Sequence, residues 1–212
     1  MIIIHHLAVS QSDRIVWLME ELNLSYQLKW YRRKEDQTAP DDYLALHPAA
    51  TSPVITDGDV NLAESAVILE HVCYRHAGGR FAVRPEQSNY ERYAYWMHLN
   101  NNILALSFGR MALAAQAHGP QAEMLQAVIK RRENGYYNHL NQCLAQSPFL
   151  AGPEFTCADM MVTFNLTTLP LFGGRGIEDL PHVVSYVERI TERAAYKKAM
   201  KIAGPSAMAP WA

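Results

Sequence analysis

The period of the apolar positions changes along the chain. Ile2, Ile3 and Ile4 form a short continuous apolar run, the pattern of a strand buried on both faces. From Arg14 to Leu24, Ile15, Leu18, Met19 and Leu22 recur at the spacing of one helical face. Tyr26 to Tyr31 mixes aromatic and aliphatic residues with polar ones, which predicts a strand, and the charged stretch Arg32 to Pro40 predicts a loop. Asp42 to Leu46 fits one helical turn stopped by Pro48. Two short apolar runs, Val54 to Thr56 and Val60 to Leu62, flank Asp57-Gly58-Asp59, which predicts a hairpin. Ser65 to His76 returns to helical spacing through Ile68, Leu69 and Val72. The predicted order is β-α-β-α-β-β-α.

After Gly78 and Gly79 the pattern is helical throughout. This predicts a first domain over 1–78, a linker over 79–87 and an all-helical domain over 88–212. Ser88 with Glu91 three positions on predicts a capping box that opens a long helix through Tyr95, Trp96, Leu99 and Ile103. Pro120 predicts a break before a second helix, Gln121 to Ala145. Thr156 and Asp159 form a box-like cap, with Asp where Glu or Gln is usual, and Phe155 and Met160 are spaced as a hydrophobic staple. Gly173 to Gly176 has no strand before it and is expected to end the capped helix rather than to form a phosphate loop. Pro181 opens a further helix through Val184, Val187 and Ile190, and the tail from Gly204 reads as irregular.

Composition narrows the function classes. Nearly half of the 212 residues are apolar, 49 %, enough for a substantial core. The 19 basic and 21 acidic residues nearly cancel, which argues against a nucleic-acid partner. No apolar run approaches the roughly 20 residues a membrane span needs, so no membrane association is expected. Met1 to His5 is too short for a signal peptide and lacks a basic start. Cys73, Cys143 and Cys157 are widely spaced, without a Cys-x-x-Cys pair, and read as buried reduced thiols of a cytoplasmic protein. His5 and His6, adjacent on a strand, point to opposite faces; His71 and His76, five apart on a helix, share no face cleanly. No metal site is expected from them.

The candidate chemistry sits at predicted helix starts. Ser10 and Ser12 precede the first helix, where a hydroxyl can cap backbone N–H groups or donate to a bound anion. Ser65 opens the third helix beside Glu64, and Ser52-Pro53 precedes the hairpin.

Taken in order, Val9-Ser10-Gln11-Ser12-Asp13-Arg14, then Thr51-Ser52-Pro53-Val54, then Glu64-Ser65, then the Thr156 cap, the chain resembles the cytosolic glutathione transferases over nearly its whole length. It is most similar to bacterial and fungal members with a serine in the first loop. The resemblance implies an α/β thioredoxin-like domain that binds glutathione, followed by an all-α domain that holds a small hydrophobic electrophile or a peroxide. It selects Ser10, four residues before Arg14, over Ser12 as the catalytic hydroxyl. It implies a cis Ser52–Pro53 bond, with the Val54 backbone pairing with the cysteinyl part of glutathione along an exposed strand edge. Ser65 would take the γ-glutamyl carboxylate and Glu64 its ammonium. Many relatives carry a lysine just before this Ser-Pro pair. Here Thr51 offers only a hydroxyl or backbone group to the glycyl carboxylate, and Arg33 or Lys34 could supply the missing charge. Glutathione is implied as cosubstrate with no resident cofactor, and a homodimer as the assembly. The alternative is a non-catalytic binding or regulatory protein of the same fold.

Overall fold

The computed structural model describes residues 1–116 and 119–211. The chain forms two compact units, Met1–Ala82 with Ile190–Ala212, and Val83–Arg189. The first contains β1 (Ile2–Leu7), α1 (Asp13–Leu22), β2 (Tyr26–Tyr31), α2 (Asp41–Leu44), β3 (Val54–Asp57), β4 (Val60–Ala63) and α3 (Ser65–His76). The β-α-β-α-β-β-α order expected from the sequence is therefore present. The strands form one mixed sheet in the order β2-β1-β3-β4, with β1 parallel to β2 and antiparallel to β3. Gly58, at φ +61°, supplies the left-handed backbone that lets the two-residue turn join Asp57 to Val60.

Helix α1 is buried almost all round; Ile15, Val16, Trp17, Leu18 and Met19 are all inaccessible. Part of that burial comes from α8 (Ala194–Ala203), a helix with no separate signal in the sequence because no Gly or Pro marks its start. Arg193 grips Glu21 in a two-pronged ion pair, at 2.5 and 2.8 Å, and Trp17 meets Tyr196 edge-on. This packing is why the C-terminal segment, expected with the helical domain, belongs to the first compact unit. At the sheet, Leu7, Tyr31, Tyr43, Val54 and Ala63 form a second apolar cluster.

The second unit is helical: α4 (Tyr90–Gln116), α5 (Pro120–Gln146), α6 (Cys157–Thr167) and most of α7 (Pro181–Thr191). Helix α4 begins after Asn89 rather than Ser88. The Asn89 carbonyl accepts the Tyr93 N–H, and its side chain donates to the Ala151 carbonyl, an anchor that Ser88 lacks. Gly173 ends a 3₁₀ turn, Leu169–Phe172, rather than α6 itself. Within this unit the predicted cap holds: Asp159 is the N3 partner of Thr156 at the start of α6. Asn100 of α4 is a buried hub, donating to Trp96 O and accepting from the Tyr136 hydroxyl at 2.6 Å. No helix among the described residues is long and apolar enough to cross a membrane.

Candidate active site

Sheet register determines which loops meet. Strand β1 ends at Leu7 and leads to Ser10; His5 of β1 pairs with Val54, the first residue of β3, and Val54 pairs with Ala63, the last residue of β4. The first loop, the Ser52–Pro53 segment and the Glu64–Ser65 corner therefore all emerge at one end of the sheet. Gln11 connects two of them, because the Ser65 hydroxyl donates to Gln11 Oε1 at 3.5 Å.

The first loop is clamped by the Arg33 side chain. Arg33 donates from Nε to the Ala8 carbonyl at 3.0 Å, from Nη2 to the Val9 carbonyl at 3.3 Å and from Nη1 to the Gln37 carbonyl at 2.9 Å. This clamp holds Val9 at φ +51°, which a β-branched residue adopts only under constraint. Ser12 follows as the N-cap residue of α1, with its carbonyl accepting the Ile15 and Val16 N–H groups. Its side chain does not cap. The Ser12 hydroxyl lies 2.7 Å from His6 Nδ1 and 2.7 Å from the Ser10 hydroxyl. His6, Ser12 and Ser10 form a buried chain of hydrogen-bonding groups.

The electrostatics of this corner are set by burial. His6 is inaccessible, and desolvation, aided by the Arg33 charge, lowers its pKa to about 4, so it is neutral at pH 7. Its Nε2 has no hydrogen-bond partner among the described residues. Asp13, in the first turn of α1, has its pKa raised to about 7 by burial, which outweighs the neighbouring Arg14 charge. The start of α1 thus carries less negative charge than its sequence suggests.

Several sequence expectations change. Val54 lies in a strand flanked by β1 on one side and β4 on the other, so the exposed strand edge expected there is absent. Ser52, ahead of the ladder, lies outside the pairing; the Ser52–Pro53 bond is cis, as expected. Thr51 is exposed, with its carbonyl 3.5 Å from the Tyr43 hydroxyl. The two cations considered as replacements for the missing lysine are both engaged: Arg33 in the loop clamp, and Lys34 with Asp41 at 2.7 Å. Glu64, not Ser65, is the N-cap residue of α3. It sits at φ +73° without a side-chain cap hydrogen bond, and Ser65 is the first helical residue. Cys73 and Cys157 are buried as expected, but Cys143 is only partly so. His71 and His76 converge on Asp57 despite their spacing, because His76 closes the last turn of α3 and both rings reach the hairpin end of β3.

Sequence reasoning missed His6 and Gln11. In the sequence His5 and His6 are adjacent strand residues pointing to opposite faces; both are buried, and only the chain folding back at Ser12 brings that hydroxyl against His6. Gln11 carries no motif signal.

Comparisons with known proteins agree with this fold. A family model for the glutathione S-transferase N-terminal domain matches residues 10–74, and one for the C-terminal domain matches residues 107–201. Glutathione S-transferase 3 of Schizosaccharomyces pombe is 32 % identical over 180 residues, covering 77 % of this chain and 72 % of that protein. The crystal structure of a glutathione S-transferase from Actinobacillus pleuropneumoniae superposes with a TM-score of 0.85 at 30 % identity, covering 97 % of this chain and 95 % of that one. A theta-class glutathione S-transferase from Xanthomonas axonopodis pv. citri, solved with glutathione bound, shares the fold with a TM-score of 0.73 at 22 % identity, over 96 % of this chain and 98 % of that one. The fold, the two matched domains and these relatives agree that the chain belongs to the cytosolic glutathione S-transferase family.

Proposed function

We propose that this transferase activates glutathione through a hydroxyl relay ending at Ser10. The observation that carries the proposal is the His6–Ser12–Ser10 chain, with both links at 2.7 Å. A neutral imidazole bears one N–H. If it sat on Nε2, a buried donor would be left without a partner; on Nδ1, only a lone pair is left over. Buried N–H groups are rarely orphaned. His6 therefore donates from Nδ1 to Ser12, Ser12 donates to Ser10, and the Ser10 proton remains free to donate to the glutathione sulfur. The relay fixes the direction of that donation.

A thiol near pKa 8.5 is mostly protonated at pH 7. One hydrogen bond to a charged group is worth roughly 1.5–3 kcal/mol, and a helix N-terminus about 0.3–1 kcal/mol more. At about 1.4 kcal/mol per unit, the two together lower the thiol pKa by about one to three units, of which the hydrogen bond alone accounts for about one to two. The thiol proton leaves to solvent and the thiolate lone pair forms the S–C bond. A halogenated aromatic loses halide with the electrons of its own bond, an epoxide C–O bond opens to an alkoxide that is then protonated, and an isothiocyanate carbon passes its C=N π electrons to nitrogen, which takes up a proton. With a hydroperoxide, the thiolate sulfur bonds to the terminal oxygen, and the O–O electrons leave with the alkoxide, which takes a proton from water. A second glutathione thiolate then displaces hydroxide from the resulting sulfenic acid to give glutathione disulfide.

The rest of the tripeptide lies along the same sheet end. The backbone at Ser52, next to Pro53 and Val54, takes the cysteinyl part. Ser65 takes the γ-glutamyl carboxylate at the start of α3, Glu64 its ammonium, and Thr51 the glycyl end. The glutathione bound to the Xanthomonas relative supports a glutathione site in this fold. The helical unit holds a small electrophile, the working assembly is a homodimer and the compartment is the cytoplasm, as the family resemblance implies.

Glutathione turnover against halogenated aromatics, epoxides, isothiocyanates and hydroperoxides tests this reading. With the best of these, Ser10→Ala should cut turnover at neutral pH about ten- to a hundredfold. Wild-type turnover in a folded Ser10→Ala protein removes Ser10 from the mechanism.

A further inference from the structure

Away from the Ser10 corner, three ligand-type side chains converge. Asp57 closes β3 at the hairpin turn, and His71 and His76 lie in the C-terminal half of α3. His71 Nε2 lies 2.8 Å and His76 Nε2 2.6 Å from the same oxygen, Asp57 Oδ2. All three ligand atoms lie within 4.8 Å of one another. The side chains are half-buried, at 20 %, 34 % and 18 % exposure for His71, His76 and Asp57, so the cluster opens to solvent on one side.

We propose that Asp57, His71 and His76 form a binding site for a divalent first-row transition ion, zinc above all. Two imidazoles and one carboxylate are the donor set such ions select, and a solvent-facing fourth position would hold water. Hard ions such as Mg²⁺ and Ca²⁺, which prefer oxygen donors, are poorly served by two imidazoles. Tetrahedral bonds of about 2.0–2.2 Å separate ligand atoms by roughly 3.3–3.6 Å. The two Asp–His separations, 2.8 and 2.6 Å, open by about 0.5–1 Å to admit the ion. The protons now shared with Asp57 Oδ2 move to Nδ1, the other ring nitrogen of each imidazole, leaving both Nε2 lone pairs for the metal.

The position indicates what the ion does. Ser65 starts α3 at the Ser10 end of the sheet; His71 lies about 9 Å and His76 about 16 Å farther along the helix axis. The site lies too far along α3 to take part in sulfur chemistry. It joins the hairpin turn to the end of α3 and acts as a structural clip, so bound metal stabilises the folded unit by mass action.

The test is zinc titration of the full-length, tag-free protein without glutathione, by calorimetry and by competition with a chromogenic chelator. His139 and Cys143, four apart with Sγ 3.7 Å from a ring nitrogen, are the obvious rival pair and provide the control. The expected result is one zinc per chain, with affinity falling at least about tenfold in His76→Asn and in Asp57→Asn and unchanged in His139→Asn. Zinc should also raise the thermal midpoint of the wild type and not of His76→Asn. If Asp57→Asn fails to fold, the more exposed His76→Asn carries the test alone. No binding at about 100 µM zinc, above the micromolar affinities a built site reaches, or binding lost in His139→Asn and kept in His76→Asn, overturns the proposal. Because glutathione turnover is read separately, failure here leaves the Ser10 relay untouched, and failure of the relay leaves this site untouched.

Discussion

At the start of α6, Asp159 is buried and surrounded by donors: Oδ2 accepts the Thr156 N–H at 2.8 Å, and Oδ1 accepts the Leu150 N–H at 3.0 Å and the Tyr186 hydroxyl at 2.8 Å. At the start of α1, the buried hydroxyl of the N-cap residue Ser12 turns away from its own helix toward His6 and Ser10. The α6 network is closed, and every polar group in it is satisfied from within. The α1 network is a line, with one end a His6 nitrogen that has no partner among the described residues and the other a serine hydroxyl. A buried polar network that closes on itself stabilises and orders the fold. One that ends on a hydroxyl whose proton is left over gives up part of that stability and gains a donor for a ligand. The start of α3 belongs with the second kind, since Glu64 makes no side-chain cap hydrogen bond and Ser65 reaches only weakly to Gln11.

This contrast yields predictions, from the largest effect down. Asp159→Ala strands two buried N–H groups and the buried hydroxyls of Tyr186 and Thr156, and should destabilise the protein by about 3–5 kcal/mol in urea unfolding. At a urea concentration where it is still folded, its bound-thiol pKa should equal that of the wild type. A shifted thiol pKa would break the division between a structural and a ligand-binding network.

The His6 end carries a pH signature. Its folded pKa, about 4, lies below the ordinary value of 6.5, so the unfolded chain takes up the proton first on acidification. Stability is therefore intact above pH 6.5 and falls as pH drops toward 4. The two and a half units are worth about 3 kcal/mol. Buried Asp13, with its pKa raised to about 7, works in the opposite direction, so the informative quantity is the difference between the wild type and His6→Asn across pH 7, 5.5 and 4.5. The wild type should lose ground against the variant as pH falls. A constant difference would mean that His6 titrates normally and does not belong to a desolvated relay.

Ser65→Ala should weaken glutathione binding about ten- to a hundredfold by calorimetry, the value of one hydrogen bond to a charged group. Because Ser65 follows the N-cap residue rather than forming it, the stability change should stay under about 1 kcal/mol. Unchanged affinity would place the γ-glutamyl end elsewhere.

Legibility in the sequence followed the range of the interaction. The β-α-β-α-β-β-α order, the turn at Gly58 and the Thr156–Asp159 cap depend on residues within a few positions of one another, and all were readable. The His6–Ser12 contact depends on a chain reversal after β1. The Arg33 clamp on Ala8 and Val9 spans 25 and 24 residues. The convergence of His71 and His76 on Asp57 requires the hairpin to lie against the end of α3. None of these contacts leaves a periodic trace. The expected strand edge at Val54 failed for the same reason: strand order is a tertiary fact, and β1 and β4 cover both sides. Arg33 and Lys34 read as spare cations because their carbonyl and Asp41 partners are invisible in a loop sequence.

In the proposed relay the Ser10 proton points at the glutathione sulfur. Ultraviolet thiolate absorbance of enzyme-bound glutathione, titrated across pH 5 to 10, reads it directly. Ser10→Ala should displace the titration upward by about one to two units while leaving glutathione affinity mostly intact. Ser12→Ala should displace it less, because Ser10 keeps its hydroxyl and loses only its orientation. A folded Ser10→Ala protein whose bound thiol titrates as in the wild type would contradict the relay, and a larger displacement in Ser12→Ala than in Ser10→Ala would assign the donor to the wrong serine.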